Sequence, residues 1–191
     1  MEELTHHVTH LLHEVQVGNS AAQEDLFRTL YSVLHQIAEN KLRNERQDCL
    51  IQPTVLVHEA YLKIFGKGEV PAVADRHHLL RVFSWAMRQV IVDYARRRQA
   101  QKRSVKGIRF DENALPDARR CEELITVHEL LNYLEKEDQT AAELVTLRFF
   151  GGHSMEEAAE TLGISLRTAF RLWAFAQARL KQLMEATLSR S

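Results

Sequence analysis

Between Arg76 and Arg103 the chain contains neither glycine nor proline. At 3.6 residues per turn, Leu79, Phe83, Ala86, Met87, Val90, Ile91 and Tyr94 fall on one side. The opposite side collects Arg81, Trp85, Arg88, Gln89 and Arg96, with Val92 among them. A run of Arg96, Arg97, Arg98, Lys102 and Arg103 follows, with no acid to interrupt it. Such a segment is one long amphipathic helix, and the remaining chain must pack around it. Trp85 stands away from the apolar stripe, with Arg81 four residues before it and Arg88 three after. A flat ring flanked by guanidinium groups suits stacking on a nucleobase while the cations hold phosphates. The same pattern suits a tryptophan packed on a neighbouring helix, and a basic helix end also complements the helix dipole.

Only 3 prolines and 7 glycines interrupt the 191 residues, and Leu, Ala, Glu, Arg and Gln are abundant, so helix is favoured almost throughout. No alternating β-branched run appears, and an all-α fold is expected. The apolar fraction of 45% is enough for a real core. A net charge of −1 decides nothing about nucleic acid, because the distribution of charge matters more than its sum. Cys49 and Cys121 lack the paired spacing of a zinc site or disulfide framework. With no apolar run approaching a membrane span and no signal peptide, a cytoplasmic protein without membrane insertion is expected.

The first amphipathic segment, Leu4 to Val17, sets Leu4, Val8, Leu11, Leu12 and Val15 against His6, His10 and His13. No cysteine or carboxylate cluster completes a ligand set for those histidines, so solvated side chains are expected and no metal. Gly18-Asn19-Ser20 breaks the helix, with Ser20 the expected cap of the next. That helix runs from Ala21 to about Arg43 and buries Leu26, Leu30, Val33, Leu34, Ile37 and Leu42. Asn44 to Leu50 is a polar connection. Pro53 opens a helix to Phe65 whose apolar side takes Val55, Leu56, Ala60, Leu62 and Ile64. It leaves His58, Glu59 and Lys63 outward. Gly66 to Asp75 reads as a loop.

Ser104 to Cys121 lacks helical periodicity and reads as a linker, which divides the chain into helical domains over 1–103 and 122–191. In the second, helices are expected over Glu122 to Leu134 and Gln139 to Phe150. Ser154 and Glu157 form a capping box before Met155 to Leu162. Gly163-Ile164-Ser165 is a tight turn, and Ser165 caps a final helix from Leu166 to about Leu188. The small Ala158 and Ala159, the turn glycine and inward Ile164, Ala169 and Leu172 phase this pair as a helix-turn-helix. Arg167 and Arg171 point away from that core, with Thr168 and Phe170 at its flanks, where guanidinium groups can read guanine edges or grip phosphates.

Three segments carry a resemblance: QPTVLVHEAYLKIF, DRHHLLRVFSWAMRQVIVDYARRRQAQKR and LRFFGGHSMEEAAETLGISLRTAFRLWAFAQARL. In this order and spacing the chain resembles a bacterial RNA polymerase sigma factor of the extracytoplasmic-function class. The resemblance implies a protein that binds core RNA polymerase and promoter DNA and directs promoter recognition, −10 melting and initiation. Residues 1–103 then match the polymerase- and −10-binding domain, and 122–191 the −35-binding domain. Core polymerase contacts are implied for Leu56, His58, Glu59 and Tyr61. The −10 element falls to Arg76, Arg81, Trp85, Arg88, Gln89, Arg96 and Arg97. The −35 element falls to Ser165, Arg167, Thr168, Phe170 and Arg171. An anti-sigma protein is a further candidate partner. The sequence departs from the class near Val55, where an acidic residue is common, at Gln89, commonly Asn, at Phe170, a place usually polar or charged, and at Leu172, one often acidic.

The rivals are a stand-alone helix-turn-helix regulator and a helical antagonist of sigma or polymerase. No phosphate-cradling glycine loop, nucleophile–base pair or metal-spaced acid cluster suggests an enzyme, and no cofactor is expected. In the free protein the two halves are expected to pack together and hide part of the basic surfaces.

Overall fold

A computed structural model describes residues 2–43, 51–66, 75–104 and 115–188, which form eight helices and no strand. The expected connections over 44–50 and 67–74, with Cys49, and the linker residues 105–114 lie outside the described residues. So do the side chains of Leu4, His6, Val33, Ile37, Leu42, Lys102 and Arg103.

Helix α1 (Glu2–Gln16) buries Val8, Leu11, Leu12 and Val15 against α2 (Ser20–Arg43), which contributes Ala22, Leu26, Leu30, Leu34 and Ala38. Gly18 turns the chain between them at φ +90°. The cap of α2 is one residue earlier than expected. Asn19 Oδ1 accepts from the backbone N–H of Ala21 at 3.1 Å and of Ala22 at 3.3 Å, and Ser20 is already helical.

Helix α3 (Pro53–Phe65) starts on a proline, whose missing N–H has no helical partner to lose at that position. It buries Leu56, Val57, Ala60 and Phe65. Val55 and Leu62, expected inside, are 46% and 44% exposed. The segment TVLVHEAYLKIF has apolar residues nearly all round, so periodicity alone left its rotation undetermined. Packing against α2 and α4 selected the stripe.

Helix α4 (Arg76–Ser104) is the centre of the molecule. It packs on α1 and α3, and also on α5 (Leu115–Glu137), α6 (Gln139–Phe149) and α7 (Met155–Thr161). Contact on both flanks narrows its open face: Val92, expected among the outward residues, is fully buried, whereas Tyr94, expected inside, is 37% exposed. One apolar cluster runs through both halves of the chain, joining Leu26, Leu56 and Phe83 to Leu131, Leu134 and Phe150.

The stretch expected as linker over 104–121 is shorter than that, because α5 already begins at Leu115. Pro116 sits in its first turn, where a proline is tolerated, and so marks a helix start rather than a loop. Cys121 and Leu124 are buried behind it.

Asp138 separates α5 from α6, and its carboxylate accepts from Ala141 N–H at 2.9 Å. Ser154 and Glu157 form the expected capping box at the head of α7. The chain leaves α7 through Gly163 at φ +65°, whose N–H reaches Glu160 O, while Ile164 N–H reaches Ala159 O. Paired bonds of this kind close a helix in a Schellman motif. Helix α8 (Leu166–Leu188) then crosses α7 and α6 over Ala158, Ala159, Ala169, Leu144 and Leu147.

Candidate nucleic-acid interface

The open face of α4 presents Trp85 with 47% of its surface exposed. Its neighbours Phe83 and Met87, on the apolar stripe, are buried, and the phase of the helix sets the indole on the opposite side. Arg76 and Gln89 are half-buried, and Arg96 and Arg97 are exposed further along the helix. Arg81 is also half-buried, its Nη1 3.8 Å from Glu143 Oε2 on α6. A cleft of about 350 Å³ runs beside these groups, lined by His78, Arg81, Trp85 and Arg88 from α4 and by Glu135, Gln139 and Glu143 from the second half.

Arg88 departs from the expectation that it lies on the open face. It is 2% exposed. Its Nε donates to His128 Nδ1 at 3.1 Å, and its Nη2 donates to His128 O at 2.9 Å and Asn132 Oδ1 at 2.7 Å. Helix α5 covers this edge of α4, which a pattern read from α4 alone does not register. Burial lowers the pKa of Arg88, opposed by the charge of Glu135. His128 is held down to about 4, first by burial and then by the positive charges of Arg88 and Arg96, with Asp93 opposing. The neutral imidazole is the form that can accept from a guanidinium.

A second polar contact crosses the seam nearby. Ser84 Oγ lies 3.5 Å from His153 Nε2, and both residues are buried. Burial lowers the pKa of His153, with Arg76 acting in the same direction and Glu157 against it. Gly151 fits here because a Cβ would stand only 2.3 Å from Ser84 Oγ and 2.7 Å from Leu147 O. Arg148 holds the same turn, donating to His153 O at 2.9 Å and lying 5.5 Å from the Trp173 ring centroid.

None of His128, Asn132, Ser84 or His153 was singled out by sequence. The only available signal was the i, i+4 pair His128 and Asn132, two polar residues beside Leu124 and Leu131 on a helix that buries both.

At the head of α8, Ser165 Oγ accepts from Thr168 N–H at 3.2 Å and lies 2.9 Å from Thr168 Oγ1. This cap occupies both hydroxyls locally. Arg167, Phe170 and Arg171 are exposed on the first two turns, Phe170 at 53%. Two guanidinium groups and an aromatic ring thus project together from a helix end that is rigidly capped.

On α3, His58 and Glu59 are exposed, but Leu56 is fully buried. Leu56 is therefore a core residue of this fold and offers no surface to a partner. Tyr61 is half-buried, its ring in tilted contact with Phe27 at 4.4 Å and Phe65 at 4.9 Å between centroids. The exposed Val55 and Leu62 instead line a groove of about 400 Å³ with Glu59 and Tyr94, edged by the Lys63–Asp93 ion pair at 2.9 Å.

Among the described residues no helix is long and apolar enough to cross a membrane, and no cluster of metal-ligating side chains occurs. No curated protein and no solved structure matches the chain. A family model described as ECF sigma factor matches residues 5–186, which takes in the first helix, the α4 face and the capped end of α8 together. Over that span the chain belongs to the ECF sigma factor family, a family of non-enzymatic proteins whose members bind core RNA polymerase and promoter DNA in transcription initiation.

Proposed function

We propose that this protein docks on core RNA polymerase through the exposed side of α3, opens the −10 element on the outer face of α4, and reads the −35 element with α8. The observation that carries the reading is Trp85, a large ring left half in water on a helix whose downstream turns present Arg96 and Arg97. Unpairing a base costs a few kcal/mol. Stacking the freed base on an aromatic ring returns ~1–3 kcal/mol, and phosphate contacts from arginines add to it.

In the second half, α7, its glycine turn and α8 act as a DNA-reading helix-turn-helix. Arg167 and Arg171 face base edges or phosphates, and Phe170 suits the methyl group of thymine. Ser165 and Thr168 serve mainly to fix the helix end. For polymerase, the groove of Val55, Glu59, Leu62 and Tyr94 supplies an apolar floor with a charged rim, and His58 adds to its exposed surface. The test is transcription in vitro with core polymerase, this protein and genomic DNA, with start sites mapped by sequencing. Discrete starts that need the protein support the reading, and core polymerase indifferent to it overturns the reading.

A further inference from the structure

We infer that the cleft beside Trp85 is a binding site for a free guanine nucleotide, its base stacked on the indole and its donor edge held by Glu135. The inference does not require the proposed role of α4 in promoter opening. Two groups lining this cleft are unspent. The indole of Trp85 is 47% exposed, and among the described residues no second ring and no cation lies against it. Glu135 is exposed on the wall formed by the second half. It makes no hydrogen bond or ion pair among the described residues, although its charge acts on Arg88. The other polar lining is partly committed: Gln139 Nε2 donates to Glu143 Oε1 at 2.8 Å, and Arg81 Nη1 lies 3.8 Å from Glu143 Oε2. The buried Leu147 adds apolar surface. A volume of about 350 Å³ with few polar groups is at the small end of ligand sites.

The chemistry of these groups selects the occupant. An open ring calls for a flat heterocycle. A carboxylate only accepts, through two oxygens side by side, so it matches an edge with two adjacent N–H donors. Guanine carries that edge, with N1–H beside its N2 amine. In adenine and cytosine the amine stands next to an acceptor nitrogen, and in uracil a single N–H lies between two carbonyls. Arg81, faced by a carboxylate only at 3.8 Å, keeps donors for a phosphate. Glu135 and Glu143 together oppose a continuous strand, whose successive phosphates would pass both carboxylates. One nucleotide turns its single phosphate to Arg81 and its base to Glu135.

The experiment uses the full chain labelled with 5-fluorotryptophan, which gives one fluorine resonance each for Trp85 and Trp173. Trp85→Phe assigns them. On titration with guanosine monophosphate the Trp85 resonance should shift saturably while that of Trp173 stays in place. Adenosine monophosphate should bind about tenfold more weakly, the effect of one hydrogen bond to a charged group. Glu135→Gln, at an exposed position, should weaken the guanine nucleotide about tenfold and leave the adenine nucleotide unchanged, a difference that a merely structural role would not produce. No saturable shift up to about 10 mM overturns the inference, as do equal affinities for the two nucleotides. A Glu135→Gln chain that keeps the wild-type preference overturns it too. Guanosine should bind more weakly than its monophosphate, and equal affinities overturn the place given to Arg81. If Glu135→Gln does not fold, the comparison of nucleotides on the wild type decides alone.

Discussion

Arg88 Nη2 on α4 and Asn132 Oδ1 on α5 meet at 2.7 Å, 44 residues apart in the chain. That bond ties the helix with the proposed melting surface to the half with the proposed −35 reader. It makes Arg88, 2% exposed, a buried tie between the two halves of this structure rather than an exposed cation.

Trp85→Ala is expected to impair open-complex formation far more than binding to core polymerase. Because the ring is half in water, the loss of thermal stability should be small. Permanganate footprinting of the melted region, set beside a polymerase-binding titration, separates the two effects. Equal loss of both contradicts a stacking role.

Arg171→Ala should weaken binding to the −35 element by ~1–3 kcal/mol if the guanidinium reads a base. The side chain is exposed, so the melting temperature should hardly change. Mobility shift with the mapped promoter measures the first quantity and calorimetry the second. Unchanged affinity removes Arg171 from the interface.

On α3, Leu56→Ala and Glu59→Ala should fail in different ways. Leu56 is fully buried, and its truncation should cost ~2–5 kcal/mol of stability. Glu59 is exposed and unneeded by the core, so Glu59→Ala should leave stability nearly unchanged while weakening the association with polymerase. Denaturant unfolding and a polymerase pull-down, run on both variants, distinguish the roles.

Gly163→Ala should destabilise the protein by about 1 kcal/mol, the cost of placing a Cβ in the left-handed region. Its φ of +65° is the sole obstacle, since nothing lies within 4 Å of an added Cβ. Chemical denaturation measures it. A neutral result means that the turn between α7 and α8 rearranges.

Acid should loosen the seam. The folded pKa of His128 is depressed from 6.5 to about 4, so the unfolded chain binds a proton that the folded one refuses. The stability this histidine contributes is complete above about pH 6.5 and is lost as pH falls toward about 4, on the order of 3 kcal/mol in all. His153, also depressed by burial, adds a loss of the same sign. Thermal melts across this range should show a slope that His128→Gln flattens, because an amide keeps an acceptor without titrating. An unchanged slope in that variant assigns the effect elsewhere.

Local features were legible in the chain because their causes are local. The capping box of Ser154 and Glu157, the Gly163 turn, the Ser165 cap and the unbroken α4 each depend on residues within one or two turns. Even the misreadings near helix ends were local competitions. Asn19 captured the cap expected of Ser20, and Pro116 marked the first turn of a helix where a linker was expected. The family pattern in α3, α4 and α8 was equally visible, since side-chain order and spacing survive without coordinates.

What the sequence determined by itself, then, was an all-α chain, the starts of α3, α4, α7 and α8 with the Gly163 turn, and two basic helical faces that carry a family resemblance. Only the tertiary structure decided which members of those faces meet water. Periodicity reports the angle of a side chain about its own helix, but not which distant helix covers that angle. Hence Val55 and Leu62 emerged while Val57 went in, and of the residues read as apolar Leu56 and Ala60 stayed in the core. Hence also Trp85 stayed open, while Arg88, three residues on, was taken inside by His128 and Asn132.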